Sequence, residues 1–211
     1  LDIYFIHNFD ADTPMDETLR ALDDLVRSGK VLYLGVSNWA AWQIARALGV
    51  SARDHLAPFA CIQPMYNLAK RQAEVEILPL AQHEGLGVIS YSPVGGGLLS
   101  GKYGIHQRPD VGRLVDTPTY QKRYGEAAYY EIAERFVDLA RELGEHPVSL
   151  AVAWVMAHPA ITTPIIGARS VEQLEPSLAA VDVEMGPARY ASIRALTPTP
   201  PPATDRTEDQ A

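Results

Sequence analysis

The sequence predicts an α/β fold built on parallel strands. Five short segments rich in β-branched and aromatic residues recur along the chain, and each is almost continuously apolar. Such segments are typical of parallel strands that are covered on both faces. The first four begin about 28 residues apart, which leaves room for one helix and two short loops between neighbouring strands. The predicted strands are residues 3–6, 31–36, 59–62, 88–91 and 162–166.

Helix signals separate these strands. Thr13 is a residue type that caps helices, Pro14 is predicted at the first helical position, and Gly29 is predicted to end that helix. Hydrophobic periodicity predicts two further helices, at residues 39–48 and 71–83. The alternation of strands and helices gives either an open doubly wound sheet or a closed barrel.

A long insertion separates the fourth and fifth strands. It contains a glycine-rich loop at residues 95–97, a polar loop, and helices predicted at 129–143 and 148–156. Insertions that follow a barrel strand usually lie at the carboxyl rim, where sites are built. No Gly-x-Gly-x-x-Gly fingerprint opens a helix directly after a strand, which disfavours the doubly wound dinucleotide-binding fold.

The last predicted helix begins at Ser170, where a capping-box pattern with Gln173 precedes an apolar stripe of Leu174, Leu178 and Val181. We predict one domain over residues 1–197. The Pro-rich segment 198–211 is predicted to be a disordered tail.

Composition excludes several classes of function. The net charge is −8 and there is no basic run, so neither nucleic acid nor an anionic membrane surface is an expected partner. No apolar stretch reaches the roughly 18 residues of a membrane-spanning helix. The single cysteine, Cys61, permits no internal disulfide, which fits the cytoplasm, and it is predicted to be a small buried hydrophobe. No metal site is predicted, and the oligomeric state stays open.

Seven segments, taken in order, resemble the core of the aldo/keto reductase family. They are residues 4–7, 13–19, 29–31, 35–38, 63–67, 91–103 and 164–170. The resemblance implies an incomplete (β/α)8 TIM barrel made of strands 4 to 8 with their helices. It also implies an NADP(H)-dependent oxidoreductase that reduces a small-molecule aldehyde or ketone by hydride transfer.

The resemblance assigns roles to residues at the ends of the strands. His7 matches the histidine that faces the substrate carbonyl, where a ring N–H can stabilise developing charge. Ser37, Asn38 and Gln63 match the residues that hold the nicotinamide carboxamide, and Tyr91 matches the aromatic residue that stacks on the nicotinamide ring.

A second group of residues matches the binding site for the cofactor phosphates. Glycines and a lysine suit the pyrophosphate, and a helix amino-terminus with an arginine suits a 2′-phosphate, which favours NADP(H) over NAD(H). These residues are Ser92, Pro93, Val94, Lys102, Gly167, Arg169 and Gln173. Arg113 is expected to be a solvated surface arginine. Pro176 and Ser177 stand where many members have a Glu-Asn pair that touches the adenine.

The family's proton-transfer tyrosine, lysine and aspartate match no residue of this chain, which begins at Leu1 inside a predicted strand rather than with Met. We therefore expect a fragment or processed product that is poorly soluble and does not turn over alone. Tyr66, Tyr103 and Tyr124 are not assigned the missing role. Two alternatives stay open: a non-catalytic NADP(H)-binding regulatory subunit, and an unrelated barrel such as an isomerase or aldolase.

Overall fold

A five-stranded parallel sheet forms the centre of the molecule in the computed structural model, which describes residues 1–204. The strands pair in chain order, so each neighbour in the sequence is also a neighbour in space. The prediction of five parallel strands is confirmed, with each boundary within two residues. The strands are β1 (Ile3–Ile6), β2 (Tyr33–Ser37), β3 (Phe59–Gln63), β4 (Gly87–Tyr91) and β5 (Thr163–Ile165).

Helices connect successive strands, in the β/α alternation of a TIM-barrel-like fold. The part of the chain that the structure describes contains α1 (Met15–Arg27), α2 (Ala41–Asp54), α3 (Ile77–Glu84), α4 (Arg113–Asp116), α5 (Pro118–Tyr124), α6 (Ala127–Glu142), α7 (Pro147–Met156), α8 (Val171–Leu178) and α9 (Pro187–Arg194). Three short 3₁₀ segments, Gln72–Glu74, Gly95–Ser100 and Ala179–Asp182, complete the connections.

The sheet has an inner face, which we define by Phe5, Gly35, Cys61 and Gly87. The strand register aligns these four positions across β1 to β4. A Cβ atom on Gly35 would lie 2.5 Å from the Phe5 ring and 2.9 Å from the Cys61 sulfur, so only glycine leaves room for both side chains. Cys61 is buried, as predicted.

The main core lies between the opposite face of the sheet and the helices. Apolar side chains of β2, β3 and β4 meet those of α1, α2 and α3 there, including Leu19, Leu34, Val36, Ile44, Ile62, Leu78 and Val88. Burying each such side chain contributes about 1.5–3 kcal/mol. Helix α7 is buried on almost every side, and its Trp154 stacks between Tyr66 and Tyr190 at 5.4 and 5.3 Å.

Several helix boundaries differ from the sequence prediction. Pro14 occupies the position before α1 rather than its first turn. Helix α2 continues past residue 48 to Asp54, where His55 adopts a left-handed conformation. The helix predicted over residues 71–83 is divided, and α3 begins only at Ile77. Pro79 accounts for this start, because a proline is tolerated in the first turn of a helix and not in its interior.

The predicted start of α8 is also different. Ser170 forms no side-chain cap, and Gln173 Oε1 instead accepts a hydrogen bond from the Arg169 amide at 3.1 Å. The predicted apolar stripe is wrong, since Leu178 and Val181 are 54% and 72% exposed. The helix ends at Leu178 and a 3₁₀ segment follows, so these side chains do not share one buried helical face.

The two outermost strands of the sheet are exposed. The expectation that strands are covered on both faces is confirmed in most positions of β2 and is wrong for β1 and β5. Residues 198–204 form neither helix nor strand, and the remaining residues of the predicted tail, 205–211, lie outside the described residues. Within residues 1–204, no helix has the length and apolar character needed to cross a membrane.

Candidate functional site

The predicted site residues of the first four strands lie at one edge of the sheet. His7 follows β1, Ser37 ends β2, Gln63 ends β3 and Tyr91 ends β4. Because the strands are parallel, their carboxyl ends meet at the same edge. Side chains alternate along a strand, so these positions continue the inner face defined by Phe5 and its neighbours.

Hydrogen bonds join these strand ends. Asn38, in a left-handed conformation with φ of 58°, donates from Nδ2 to the backbone oxygen of His7 at 2.9 Å. The Tyr91 hydroxyl donates to Asn38 Oδ1 at 2.8 Å, and burial raises the pKa of Tyr91, which keeps this donor protonated. Ser37 is buried and its hydroxyl donates to the backbone oxygen of Gln63 at 2.9 Å. Ser37 and Asn38 therefore hold the neighbouring strand ends in position.

A large cleft of about 620 Å³ extends from Tyr91 to α7 and α8. Eight of the twelve predicted site residues line it. The glycine-rich loop after β4 and the start of α8 therefore both contribute to the wall of one cleft. The eight residues are Tyr91, Ser92, Pro93, Val94, Lys102, Gly167, Arg169 and Gln173. We call this space the large cleft.

A smaller cleft of about 300 Å³ adjoins the same strand ends. Asn38 and Gln63 line it, and Tyr91 lines both clefts, so Tyr91 marks their junction. His7 and Ser37 line neither cleft. The Ser37 hydroxyl is bonded to the backbone of the neighbouring strand, and His7 is exposed beyond the end of β1. The fold thus brings ten of the predicted residues into two adjoining clefts and leaves two beside them.

The wall of the large cleft includes two glycines that no other residue can replace without strain. Gly96 and Gly97 have φ values of 69° and 100°. A Cβ atom on Gly96 would lie 2.6 Å from the Tyr120 ring, and one on Gly97 would lie 3.0 Å from Lys102 Cε. The backbone of this loop can therefore approach a bound ligand closely.

Three cations gather around the large cleft: Lys102, Arg113 and Arg169. Burial, Arg169 and Arg113 together lower the pKa of Lys102. Among the ion pairs formed within residues 1–204, none involves these three side chains. Arg113 is exposed as expected, yet it also lines the cleft. The mutual repulsion of unpaired cations favours an anionic ligand between them.

Helix α7 and the residue before it form a part of the cleft wall that no motif in the sequence predicts. His146 and Val148 line it, although neither lies near a recognised motif. They reach the cleft because α7 packs against α8, where the Ser149 hydroxyl donates to the backbone oxygen of Pro176 at 2.6 Å. Such a contact between distant helices leaves no local signal in the sequence. Pro176 itself lines the cleft as well.

Three buried tyrosines do not suit proton transfer. Burial raises the pKa of Tyr66, Tyr103 and Tyr124, the last to about 12. A general acid works best with a pKa near the operating pH. Within residues 1–204 there is also no group of three or more His, Cys, Asp or Glu side chains that could hold a metal ion.

Comparisons with known proteins identify the family of the chain. The model of the aldo/keto reductase family matches residues 1–198. The chain is 37% identical over 200 residues to an uncharacterised oxidoreductase of Bacillus subtilis, covering 95% of this chain and 59% of the relative. It is 34% identical over 212 residues to aflatoxin B1 aldehyde reductase member 2 of Mus musculus, covering 93% and 57%.

A third relative, a probable voltage-gated potassium channel subunit beta of Arabidopsis thaliana, is 33% identical over 187 residues, covering 87% of this chain and 57% of the relative. The chain thus spans less than three-fifths of the length of these relatives. The family match, in contrast, extends over almost all of the chain. The chain belongs to the aldo/keto reductase family.

Proposed function

We propose that the protein binds NADPH and acts as an oxidoreductase that reduces aldehyde or ketone carbonyls to alcohols. The observation that supports this most strongly is the position of Lys102, Arg113 and Arg169 around one cleft in a chain whose net charge is −8. Three cations in one cleft of an acidic protein create a local field that attracts an anionic ligand. Membership of the aldo/keto reductase family favours a nicotinamide dinucleotide as that ligand.

The residues of the large cleft fit the phosphates of NADPH. The loop Gly95–Ser100 can bring backbone N–H groups close to pyrophosphate oxygens, and Lys102 adds a positive charge beside it. At the start of α8, Arg169 and Gln173 are placed for a 2′-phosphate, since free N–H groups at a helix amino-terminus favour anions. This fit supports NADPH over NADH.

The strand ends fit the nicotinamide. We assign the ring to the face of Tyr91, and the carboxamide to Gln63 and Asn38, because amide side chains offer donors and acceptors without net charge. NADPH, when bound, supplies a hydride to the substrate carbonyl. We assign His7, which Asn38 holds beside this site, to orient the carbonyl oxygen. Ser37 supports Gln63 through its hydrogen bond.

We assign no proton donor among Tyr66, Tyr103 and Tyr124, because burial raises the pKa of each. We therefore propose that the 211-residue chain binds the cofactor without completing carbonyl reduction by itself. The further proposals are that the partner is a small carbonyl compound rather than nucleic acid or a membrane, and that the protein works in the cytoplasm.

Arg169 provides the test of cofactor choice. Replacing Arg169 with alanine should raise the Kd for NADPH roughly 10- to 100-fold, because charge-assisted hydrogen bonds contribute about 1.5–3 kcal/mol each. The Kd for NADH should change by less than about threefold, since NADH has no 2′-phosphate. Titration calorimetry measures both constants. Arg46→Ala, an exposed arginine of α2 outside both clefts, is the matched control. An equal loss of affinity for NADH would contradict the assignment of Arg169.

A regulatory, non-catalytic role is the second candidate. The similarity of the chain to a relative named as a probable voltage-gated potassium channel subunit beta favours this role. The same cofactor cleft would serve a reductase and a regulatory subunit alike. The protein as it is expressed from its own gene, mixed with NADPH and a panel of aldehydes and ketones, separates the two. Carbonyl-dependent loss of NADPH absorbance supports the reductase, whereas tight binding without turnover supports the regulatory subunit.

A further inference from the structure

Ser92 opens the glycine-rich loop in an unusual backbone conformation. Its φ of 59° lies in the left-handed region, which is unfavourable for a residue that has a Cβ atom. The Ser92 backbone oxygen accepts a hydrogen bond from the Gly95 amide at 2.9 Å, so the orientation of Ser92 sets the first turn of the loop. Ser92 also lines the large cleft. An interaction that holds Ser92 in this conformation therefore shapes the wall of the cleft.

The side chain of Asn67 provides such an interaction. Asn67 lies in the segment between β3 and α3 and is fully buried. Its Nδ2 donates a hydrogen bond to the Ser92 backbone oxygen at 2.9 Å. Backbone hydrogen bonds hold this segment beside β4, since the Tyr66 amide donates to the Tyr91 oxygen at 3.2 Å and the Tyr91 amide donates to the Pro64 oxygen at 3.0 Å.

The amide of Asn67 is fixed at both ends. Its Oδ1 accepts from the backbone N–H groups of Ala69 at 3.1 Å and Lys70 at 3.0 Å, which identifies the oxygen end of the amide. Besides its bond to the loop, Nδ2 donates to the Tyr124 hydroxyl at 3.0 Å. Asn67 therefore presents its donor to the glycine-rich loop in one orientation.

We infer that Asn67 is a positioning residue for cofactor binding, because its amide holds Ser92 in the left-handed conformation from which the glycine-rich loop receives the pyrophosphate of NADPH. This inference rests on the proposed function. Asn67 lines neither cleft, so it acts through Ser92 rather than by touching the ligand. Without the amide donor, the left-handed state of Ser92 is less populated, and the ligand has to restore it on binding.

Two substitutions separate this role from general stabilisation. Asn67→Ser removes the donor to Ser92, while its short hydroxyl can still accept from the amides of the turn. Tyr124→Phe is the matched control, because it removes the other hydrogen bond of the same Nδ2 group and leaves the bond to Ser92 intact. Titration calorimetry on the full chain measures the Kd for NADPH, NADH and adenosine 2′-monophosphate, which has no pyrophosphate.

We expect Asn67→Ser to raise the Kd for NADPH and NADH by the same factor, about fivefold to 30-fold, since binding has to restore an unfavourable backbone conformation. The Kd for adenosine 2′-monophosphate should not change beyond experimental error. Tyr124→Phe also removes a buried hydrogen bond, yet it should leave the Kd for both dinucleotides within about twofold of the wild type, since the bond to Ser92 remains.

The substitution Ser92→Gly tests the conformational step. Glycine adopts the left-handed conformation without the steric cost that a Cβ atom adds. Adding Asn67→Ser to Ser92→Gly should therefore raise the Kd for the dinucleotides by less than about threefold relative to Ser92→Gly alone. If Asn67→Ser raises the Kd by the same factor with and without Ser92→Gly, Asn67 does not act through the conformation of Ser92.

The wild-type chain offers a test that does not depend on the folding of any variant. Coupling between two sites is reciprocal, so NADPH should slow hydrogen exchange of the Asn67 side-chain amide, measured by NMR. Adenosine 2′-monophosphate at equal occupancy should leave that rate unchanged. Equal exchange rates with and without NADPH, or equal slowing by the two ligands, would overturn the inference.

The affinities distinguish failure of the inference from failure of the proposed function. Equal losses of dinucleotide affinity in Asn67→Ser and Tyr124→Phe, or an equal loss for adenosine 2′-monophosphate, would show that Asn67 only stabilises the fold. If the wild-type chain binds neither dinucleotide, the proposed function fails together with this inference. Wild-type binding of both dinucleotides with unchanged affinity in Asn67→Ser removes the inference alone.

Discussion

Two glycines set the shape of the large cleft. Gly96 and Gly97 both lie in the left-handed region, and both have side chains pressed against the space where a Cβ would stand. The sequence motif identified this loop, and the structure gives the reason for its composition. A position that is forced to glycine by two independent constraints is expected to be sensitive to any substitution.

Gly96→Ala should lower the free energy of unfolding by about 2–4 kcal/mol, because the new Cβ adds backbone strain and meets the Tyr120 ring. Urea unfolding measures the change. The matched control is Gly49→Ala in α2, where a Cβ would meet nothing within 4 Å. That substitution should leave stability equal or raise it by about 0.5–1 kcal/mol. Similar losses in the two variants would contradict the steric explanation.

Most residues of the candidate site could be predicted from the sequence, because each lies in a short motif at the end of a strand. Gln63 and Tyr91 are examples, since a resemblance of a few consecutive residues was enough to identify them. His146 could not be predicted. Its place at the cleft depends on how α7 packs against α8, and nothing adjacent to it in the chain records that contact.

At the level of secondary structure, the buried Arg71 side chain links the segment after α9 to the segment before α3. Arg71, 4% exposed, donates to both carboxylate oxygens of Glu74 at 2.8 Å. It also donates to Thr197 Oγ1 at 2.8 Å. Tyr66 donates to the same carboxylate at 2.7 Å. These bonds outweigh the effect of burial and lower the pKa of Glu74 from 4.5 to about 2.

This pair predicts a pH dependence of stability. The carboxyl of Glu74 has a lower pKa in the folded state, so its stabilisation is complete above pH 4.5 and is lost as the pH falls toward 2. The shift corresponds to on the order of 3 kcal/mol. Urea unfolding at pH 7 and at pH 3 should show a smaller loss in Glu74→Gln than in the wild type.

The partly exposed pair of Glu145 and Arg189 provides the control for this titration, because such pairs contribute only about 0–1 kcal/mol. Glu145→Gln should therefore keep nearly the whole pH dependence of the wild type. If Glu74→Gln and the wild type lose stability equally between pH 7 and pH 3, the carboxyl of Glu74 is not the group responsible.

At the scale of the whole molecule, the inner face of the sheet is open to solvent near its outer strands. Ile3 and Tyr33 are 39% and 59% exposed, and Ile165 on β5 is 41% exposed. The register places all three on the inner face. Exposed apolar residues beside strand edges promote association, and poor solubility of the chain stays a prediction.

We expect the 211-residue chain to self-associate through this face as its concentration rises. Tyr33→Lys should weaken the association about tenfold, the effect of roughly 1.4 kcal/mol, because it places a charge in the apolar contact. Sedimentation velocity over a concentration series measures this. Val181→Lys changes a similarly exposed apolar residue away from the sheet and should have little effect. A chain that stays monomeric at every concentration would contradict the prediction.

The strands, their parallel arrangement, most of the helices and the motif residues at the strand ends could all be predicted from the sequence. This was possible because apolar periodicity and turn residues act over short stretches of chain. In contrast, the folded structure was needed to show that Arg113 and His146 share a cleft with Arg169, and that Leu178 and β1 are exposed. These facts depend on packing between elements distant in the chain, and the free energy of such contacts is set by three-dimensional proximity rather than by local pattern.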